Sequence, residues 1–308
     1  ESFQKASVGA STNDGYRASA EVGGVISGKR GTGFRLGGSY LEFTREQQFY
    51  WNMQSSLFGA YRTNLTDRIT LEVNGEASHK NATPTRTEAF VSLGTGPARV
   101  TDPLNRSRMS RTFSYSGPRN QREQDTWIST GYLTAKLSDS LTLRLGGLYS
   151  RQDENSNTLE GTLALATAAT ATGFYQKTVS EQRTVGLKVD LLHQAQLGNF
   201  AFDSILGYES NDGIDYFDQV RTNSAVTPMK VTIPLTRSAV ASDYPPPPAA
   251  SFYTIWANSS RGELNWTNLR FTQFVTAPQG RASLMWGVAY GDGSNSTLNN
   301  RNLGTAWA

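Results

Sequence analysis

The 308 residues carry a formal net charge of +3, and 37% are hydrophobic, 11% are aromatic and 29 residues are glycine. The absence of cysteine excludes thiolate metal sites, cysteine nucleophiles and disulfides. The small net charge, with no Lys/Arg-rich run, gives no reason to expect a nucleic-acid partner. Low hydrophobic content with frequent aromatics argues against disorder and favours strands that turn every second residue to water.

The first elements in chain order have a hydrophobic period of two. Strands are predicted at 2–10, 16–26, 32–43, 47–62 and 67–79. The fifth is the clearest, because the segment RITLEVNGEASH from Arg68 to His79 alternates strictly. Ile69, Leu71 and Val73 share one face, and charged or polar residues share the other. This alternation predicts a strand with one apolar and one charged face.

The pattern continues to the end of the chain. Further strands are predicted at 126–138, 140–152, 180–196, 199–211, 261–276 and 280–293, which gives about eleven in all. Tight joins such as 63–67 alternate with long segments near 80–124, 153–178 and 213–260. Short turns at one end and long loops at the other are the layout of bacterial outer-membrane barrels. The predicted fold class is therefore all-β, a transmembrane antiparallel β-barrel with extracellular long loops.

A β-sandwich and a transmembrane helix are the alternatives to the barrel. A β-sandwich would produce the same alternation, but its strands are usually short, with turns every 8–12 residues or so. No window approaches 18 consecutive apolar residues, the length that predicts a transmembrane helix. The opening ESFQKASVGA has no signal-peptide pattern, so a secreted protein would begin upstream of Glu1.

The residues give no indication of an enzyme. His79 and His193 are the only histidines, and their separation does not match metal-ligand spacing. His79 is expected at the solvated outer rim and His193 on an outward-facing register. No G-x-S-x-G elbow occurs. Neither a catalytic site nor a metal or cofactor is expected. Several charged residues are predicted to face inward, toward water or a plug: Glu72, Glu76, Arg144, Lys188, Asp190, Asp203 and Glu209.

Five segments together resemble the barrel of TonB-dependent outer-membrane receptors, most closely the ferric-siderophore branch. SVGASTNDGYRASAEVGGVIS resembles the first barrel hairpin, and GFRLGGSYLEF with FYWNMQSSLFGAYRTNLTDRITLEVNGEAS resembles the next three strands. EQRTVGLKVDLLHQAQLGNFAFDSILGYESND is similar to a mid-barrel hairpin before a large extracellular loop. NLRFTQFVTAPQGRASLMWGVAYGD resembles the following strand pair. The likeness covers nearly the whole chain and rests on patterning, without a sharp motif.

The resemblance implies a protein larger than this chain. Family barrels have about twenty-two strands, a lumen filled by an N-terminal plug, and a short TonB-binding segment. About half of those strands are recognisable here, and the plug domain is absent. Residues 1–308 are therefore expected to be a partial barrel domain in the outer membrane of a Gram-negative-type cell. The implied partners are outer-membrane lipid, a TonB-type energy-transducing protein that acts on a plug outside this chain, and a ferric chelate.

Ligand capture in this family implies aromatic and charged residues at the extracellular mouth. By location alone, the candidates are Tyr50, Phe174, Tyr175, Lys177, Tyr216, Phe217 and Arg221. Their arginine and aromatic groups suit an anionic, ring-bearing chelate. Two alternatives stay open: a passive porin-like channel constricted by the Tyr/Pro-rich segment near 243–253, and a soluble or surface-anchored β-rich binding module.

Overall fold

A computed structural model describes residues 2–11, 15–26, 31–44, 49–83, 92–93, 100–101, 117–162, 170–222, 231–234, 240–244, 246–280 and 282–299. The strands within these ranges are β1 (Phe3–Ser11), β2 (Gly15–Val25), β3 (Gly33–Thr44), β4 (Trp51–Asn64), β5 (Ile69–Ala82), β6 (Ser92–Leu93), β7 (Val100–Thr101), β8 (Gln121–Lys136), β9 (Leu141–Thr162), β10 (Thr170–Leu197), β11 (Phe200–Arg221), β12 (Val231–Pro234), β13 (Ile255–Thr276) and β14 (Ser283–Asn299).

One antiparallel sheet contains nearly all of these strands. Its order is β1-β2-β3-β4-β5-β8-β9-β10-β11-β13-β14, with β12 paired to β10, and β6 pairs with β7 separately. Each main strand therefore lies beside its neighbour in the sequence, as in an up-and-down meander. In the part of the chain that the structure describes, the sheet does not close: β1 and β14 form its two edges. The predicted all-β architecture of about eleven main strands is confirmed.

The register of the strands separates the sheet into two chemically different faces. One cross-strand row consists of Leu145, Val189, Tyr208, Leu269 and Tyr290. The adjacent row on the opposite face consists of Arg144, Asp190, Gly207, Arg270 and Ala289. Because side chains alternate along every strand, this division extends across the sheet and separates an apolar face from a charged face.

The charged face is the concave one. Its ion pairs reach across an intervening strand. The Arg144 guanidinium on β9 lies 4.0 Å from the Glu72 carboxylate on β5, with β8 between the two strands. Neighbouring glycines on β9 show the same difference in crowding. A Cβ added at Gly146, on the charged face, would lie 2.8 Å from Cε1 of Tyr132, whereas one at Gly147, on the apolar face, meets nothing within 4 Å. Side chains converge on the inside of a curve and spread apart on the outside.

The convex face carries an exposed apolar band. On β9 the band covers 141–149, which matches the roughly 9–11 residues that cross a bilayer in a tilted strand. Large side chains in it point into open space, among them Leu57 at 70% exposure and Tyr290 at 71%. Tyr149 and Trp127 lie at its long-loop edge and are also exposed, as the aromatic girdle of a membrane barrel would be.

Several strands run well beyond this band, among them β8 from Gln121 and β14 to Asn299, and the predicted loop bounds are wrong for that reason. Residues 121–124 of β8 were expected in the loop near 80–124. Residues 153–162 belong to β9, 170–178 to β10, 213–221 to β11 and 255–260 to β13, although all were expected in the loops near 153–178 and 213–260. Beyond the band, polar residues no longer alternate regularly with apolar ones, while the backbone ladder continues. Hydrophobic period therefore underestimated the strand length.

The predicted fourth strand also begins too early. Phe49 has a positive φ of 62°, a conformation that bulky L-residues rarely adopt, so the strand cannot include it. β4 starts at Trp51, and Tyr50 lies in the connection before it. No helix among the described residues is long and apolar enough to cross a membrane.

Candidate functional site

Two clusters of charge lie on the concave face at the level of the apolar band. In the first, the Glu72 carboxylate forms an ion pair with the Arg62 guanidinium at 3.2 Å and lies 4.0 Å from the guanidinium of Arg144. The Arg144 guanidinium also lies over the Tyr132 ring, 4.0 Å from its centroid, within the range of a cation–π contact. This cluster joins β4, β5, β8 and β9.

The second cluster is centred on Asp190. Asp190 is only 6% exposed, and its carboxylate is approached by Arg270 at 3.2 Å and Lys188 at 3.5 Å. Arg270 comes from β13 and crosses β11 to reach β10. A buried carboxylate with two cationic partners is compensated, and each partner keeps part of its surface open toward the concave side. The sequence predicted Glu72, Arg144, Lys188 and Asp190 to face inward, and their common face confirms this.

Three side chains beyond the apolar band are deeply buried: Leu159, Tyr175 and Tyr244, at 1%, 3% and 2% exposure. Leu159 and Tyr175 are cross-strand partners, whereas Tyr244 packs its ring edge-on against that of Phe49, 5.3 Å between centroids. The backbone N–H of Tyr175 donates to Oγ1 of Thr222 at 3.0 Å, and the N–H of Thr222 donates to the carbonyl of Tyr175 at 2.9 Å. Burial raises the pKa of Tyr175 to about 12. The hydrogen bonds between Tyr175 and Thr222 join β10 to the residue that follows the end of β11.

The predicted ligand-binding residues fall on both sides of the wall. Phe174, Phe217 and Arg221 share the concave register, and the Arg221 guanidinium lies 5.3 Å from the centroid of the Phe174 ring. Tyr175, Lys177 and Tyr216 take the convex register. Tyr216 donates to Asp218 at 3.5 Å, and Tyr50 packs its ring 6.0 Å from that of Phe43. The structure therefore brings Phe174 and Arg221 together and separates them from Tyr175 and Lys177.

A cavity of about 710 Å³ opens on the convex side of the extended strands. Its floor consists of two adjacent cross-strand rows, Gln121–Asn157–Lys177–Val220 and Glu123–Asn155–Val179–Asp218. Ala250 and Tyr253 roof it from the segment before β13. The Tyr253 hydroxyl donates to Oδ1 of Asn157 at 3.1 Å, and the Lys177 ammonium lies 4.8 Å from the centroid of the Tyr253 ring.

Sequence reasoning missed this cavity apart from Lys177. Asn155 and Asn157 were placed in a predicted loop, so their register could not be read. Tyr253 falls in the Tyr/Pro-rich segment near 243–253, whose pattern predicts no register. No local signal marks the floor either, because 153–158 reads DENSNT, a run of Asp, Glu, Asn, Ser and Thr that usually indicates a loop.

His79 has acidic partners on the convex face. Its Nδ1 lies 2.8 Å from Asp125, and its Nε2 lies 3.8 Å from Glu123. Within the described ranges, no group of three or more His, Cys, Asp or Glu side chains is arranged to hold a metal ion. His193 takes the same register as Leu191, on the apolar face as predicted.

Comparison with known proteins adds information at the level of the fold. No protein-family model matches the chain, and no curated protein matches its sequence. Solved structures do match. The pyoverdine outer membrane receptor FpvA from Pseudomonas aeruginosa PAO1, bound to pyoverdine, aligns with a TM-score of 0.78 at 14% identity, covering 97% of this chain and 42% of that one.

Two further receptors align in the same way. BauA, the ferric preacinetobactin receptor from Acinetobacter baumannii, gives a TM-score of 0.73 at 10% identity, over 97% of this chain and 42% of that one. The ferric-catecholate import receptor Fiu from E. coli K12 gives 0.60 at 14% identity, over 96% and 47%. The chain spans less than half the length of each of these structures, and its fold is that of about half of such a receptor barrel. The resemblance is thereby confirmed for the fold.

Proposed function

We propose that this chain forms half of the barrel of an outer-membrane receptor that imports a scarce nutrient, a ferric siderophore. The observation that carries the proposal is the two-faced sheet. Its convex side presents an apolar band of bilayer height, while its concave side presents the Glu72 and Asp190 charge clusters. Lipid on one side and a polar interior on the other satisfy both faces. The fold shared with ferric-siderophore receptors is consistent with this role.

The convex band favours the membrane over the soluble binding module. Val8, Leu57 and Tyr290 are 88%, 70% and 71% exposed. A soluble protein rarely leaves contiguous apolar patches above a few hundred Å² uncovered, whereas lipid covers them at no cost. Extraction of the protein from cells distinguishes the two functions. A membrane protein is released only by detergent, whereas a binding module is released by aqueous buffer alone.

The concave mouth supplies a first contact for the ligand. Arg221 over Phe174 presents a cation beside an aromatic ring, a combination that suits an anionic chelate with planar ring groups. Import would be driven by a TonB-type partner that pulls on a plug segment outside this chain. The alternating charges of the concave wall would then face that plug or water.

Iron uptake tests the proposal directly. Cells that express the complete protein should accumulate radioactive iron from ferric pyoverdine or a ferric catecholate, and uptake should stop when the proton-motive force is collapsed. Arg221→Ala should weaken binding of the ferric chelate about tenfold, as expected for loss of one charge-assisted contact. Arg261→Ala is the matched control, because Arg261 lies on the convex register and pairs with Glu263 at 3.4 Å.

Two outcomes would contradict the proposal. Uptake that persists without proton-motive force would indicate a passive porin-like channel. Equal loss in the Arg221→Ala and Arg261→Ala variants would remove the concave mouth from ligand capture. The structure does not favour a channel constricted by residues 250–253, because Tyr253 contacts Asn157 and Lys177 on the convex side of the wall.

A further inference from the structure

We infer that the cavity on the convex side of the extended strands is a binding site for a carbohydrate, separate from the path of the imported nutrient. The cavity lies beyond the apolar band, where the wall has left the hydrocarbon. It opens away from the concave face that carries Arg221, Phe174 and the charge clusters. A ligand there would touch the outside of the barrel at the level of the outer-leaflet sugars.

The size of the cavity is that of a small-molecule site. Its volume of about 710 Å³ lies within the range of roughly 300–1,000 Å³ that ligand pockets occupy. The floor is rigid, since its eight residues belong to four hydrogen-bonded strands. The roof is attached to that floor by the 3.1 Å hydrogen bond from Tyr253 to Asn157.

The polar groups of the floor suit hydroxyls. Gln121, Asn155 and Asn157 each offer an amide that both donates and accepts hydrogen bonds. Sugar hydroxyls also donate and accept, so planar amides and carboxylates can bind two neighbouring hydroxyls at once. Val179, Val220 and Ala250 add apolar surface on the same cavity, which suits the C–H face of a sugar ring.

The charges of the cavity argue against an ionic ligand. Glu123 and Asp218 lie in the same row but on β8 and β11, three strand spacings apart or roughly 14 Å. They therefore cannot converge on one cation. Lys177 is the one cation among the lining residues of this cavity, and its ammonium lies against the Tyr253 ring. An anionic ligand would therefore meet two carboxylates and one ammonium. A mostly neutral, hydroxyl-rich ligand fits this balance.

The same sugar chemistry could come from a membrane glycolipid or from a free glycan. The experiment uses the complete protein in detergent and measures binding by calorimetry with three neutral probes: a diglucosyl glycerolipid, the disaccharide released from it, and maltotriose. Asn157→Ala should weaken binding about tenfold or more, because it removes an amide and the anchor of the roof. Tyr253→Phe, which keeps the ring and loses only the hydroxyl, should weaken it less.

Asn74→Ala is the matched control, since Asn74 lies on the concave face of β5 and hydrogen-bonds Thr130 at 3.4 Å. Binding should be unchanged in that variant. Binding of the intact glycolipid alone would assign the site to a membrane glycolipid, and binding of the released disaccharide or of maltotriose would assign it to free glycans. Absence of saturable binding to all three probes, or equal weakening by Asn157→Ala and Asn74→Ala, would overturn the inference. The proposed import path uses the concave face, so failure of this inference and failure of the proposed import function can be distinguished.

Discussion

A charged residue on the convex band gives the sharpest test of the sidedness of the sheet. Leu145 lies at the centre of the apolar stretch 141–149 of β9 and is 37% exposed on the convex side. Replacing it with arginine would place a guanidinium at mid-bilayer depth. The expected cost in the free energy of unfolding is about 2–4 kcal/mol for a lipid-facing arginine at that depth. This corresponds to roughly 30- to 1,000-fold in the folding equilibrium.

Leu148 provides a matched control on the same strand. It takes the concave register, three residues along β9, so Leu148→Arg introduces the same group into a polar interior. Its cost should stay below about 1 kcal/mol, the usual range for a charge that remains solvated. Tyr149→Arg, at the edge of the band, should cost about 0–1 kcal/mol.

The assay is denaturant unfolding of the complete protein in phosphatidylcholine vesicles, followed by tryptophan fluorescence and by heat-modifiable migration on gels. The expected order of destabilisation is Leu145→Arg above Tyr149→Arg and Leu148→Arg. If Leu148→Arg destabilised the protein as much as Leu145→Arg, the assignment of lipid and lumen faces would be wrong. An unchanged stability for all three variants would argue against a membrane location for this band.

Two further predictions concern buried groups. Asp190→Asn should lower the unfolding free energy by about 1–3 kcal/mol, because it leaves Arg270 and Lys188 without their carboxylate. The loss is limited because both cations are partly exposed to solvent. Additive effects of Asp190→Asn and Arg270→Gln in a double-mutant cycle would refute the coupling. The raised pKa of Tyr175, about 12 against an ordinary 10.0, means that the unfolded phenol ionises first as pH rises. Stability should therefore be unaffected by this group below pH 10.0 and fall between pH 10.0 and about 12, and Tyr175→Phe should flatten that decline in unfolding curves measured across the same range.

The structure explains why the candidate ligand residues could be located only in part. The sequence placed Phe174, Tyr175 and Lys177 correctly near the long-loop end, because their segment precedes an alternating strand. It could not assign their faces, since that segment was interpreted as loop. Once β10 begins at Thr170, the alternation places Phe174 on the concave side and its neighbour Tyr175 on the convex side.

The cavity could be identified only from the tertiary structure. Its floor joins residues on four strands, and the distance along the chain from Gln121 to Val220 gives no hint that they share a row. Cross-strand register follows from turn geometry and from the stagger of neighbouring strands, both of which are properties of the assembled sheet.

The sequence by itself determined the class of fold, the order of the main strands and the two faces of the wall. It could do so because a strand with one apolar and one polar face carries an apolar residue at every second position. Tertiary structure decided how far the strands extend beyond the apolar band and which side chains meet there. In that region the strict alternation stops although Leu159 and Tyr175 are buried, so hydrophobic period carries no information. Only the hydrogen-bonded ladder and the packing of Tyr253 over Asn157 fix the arrangement there.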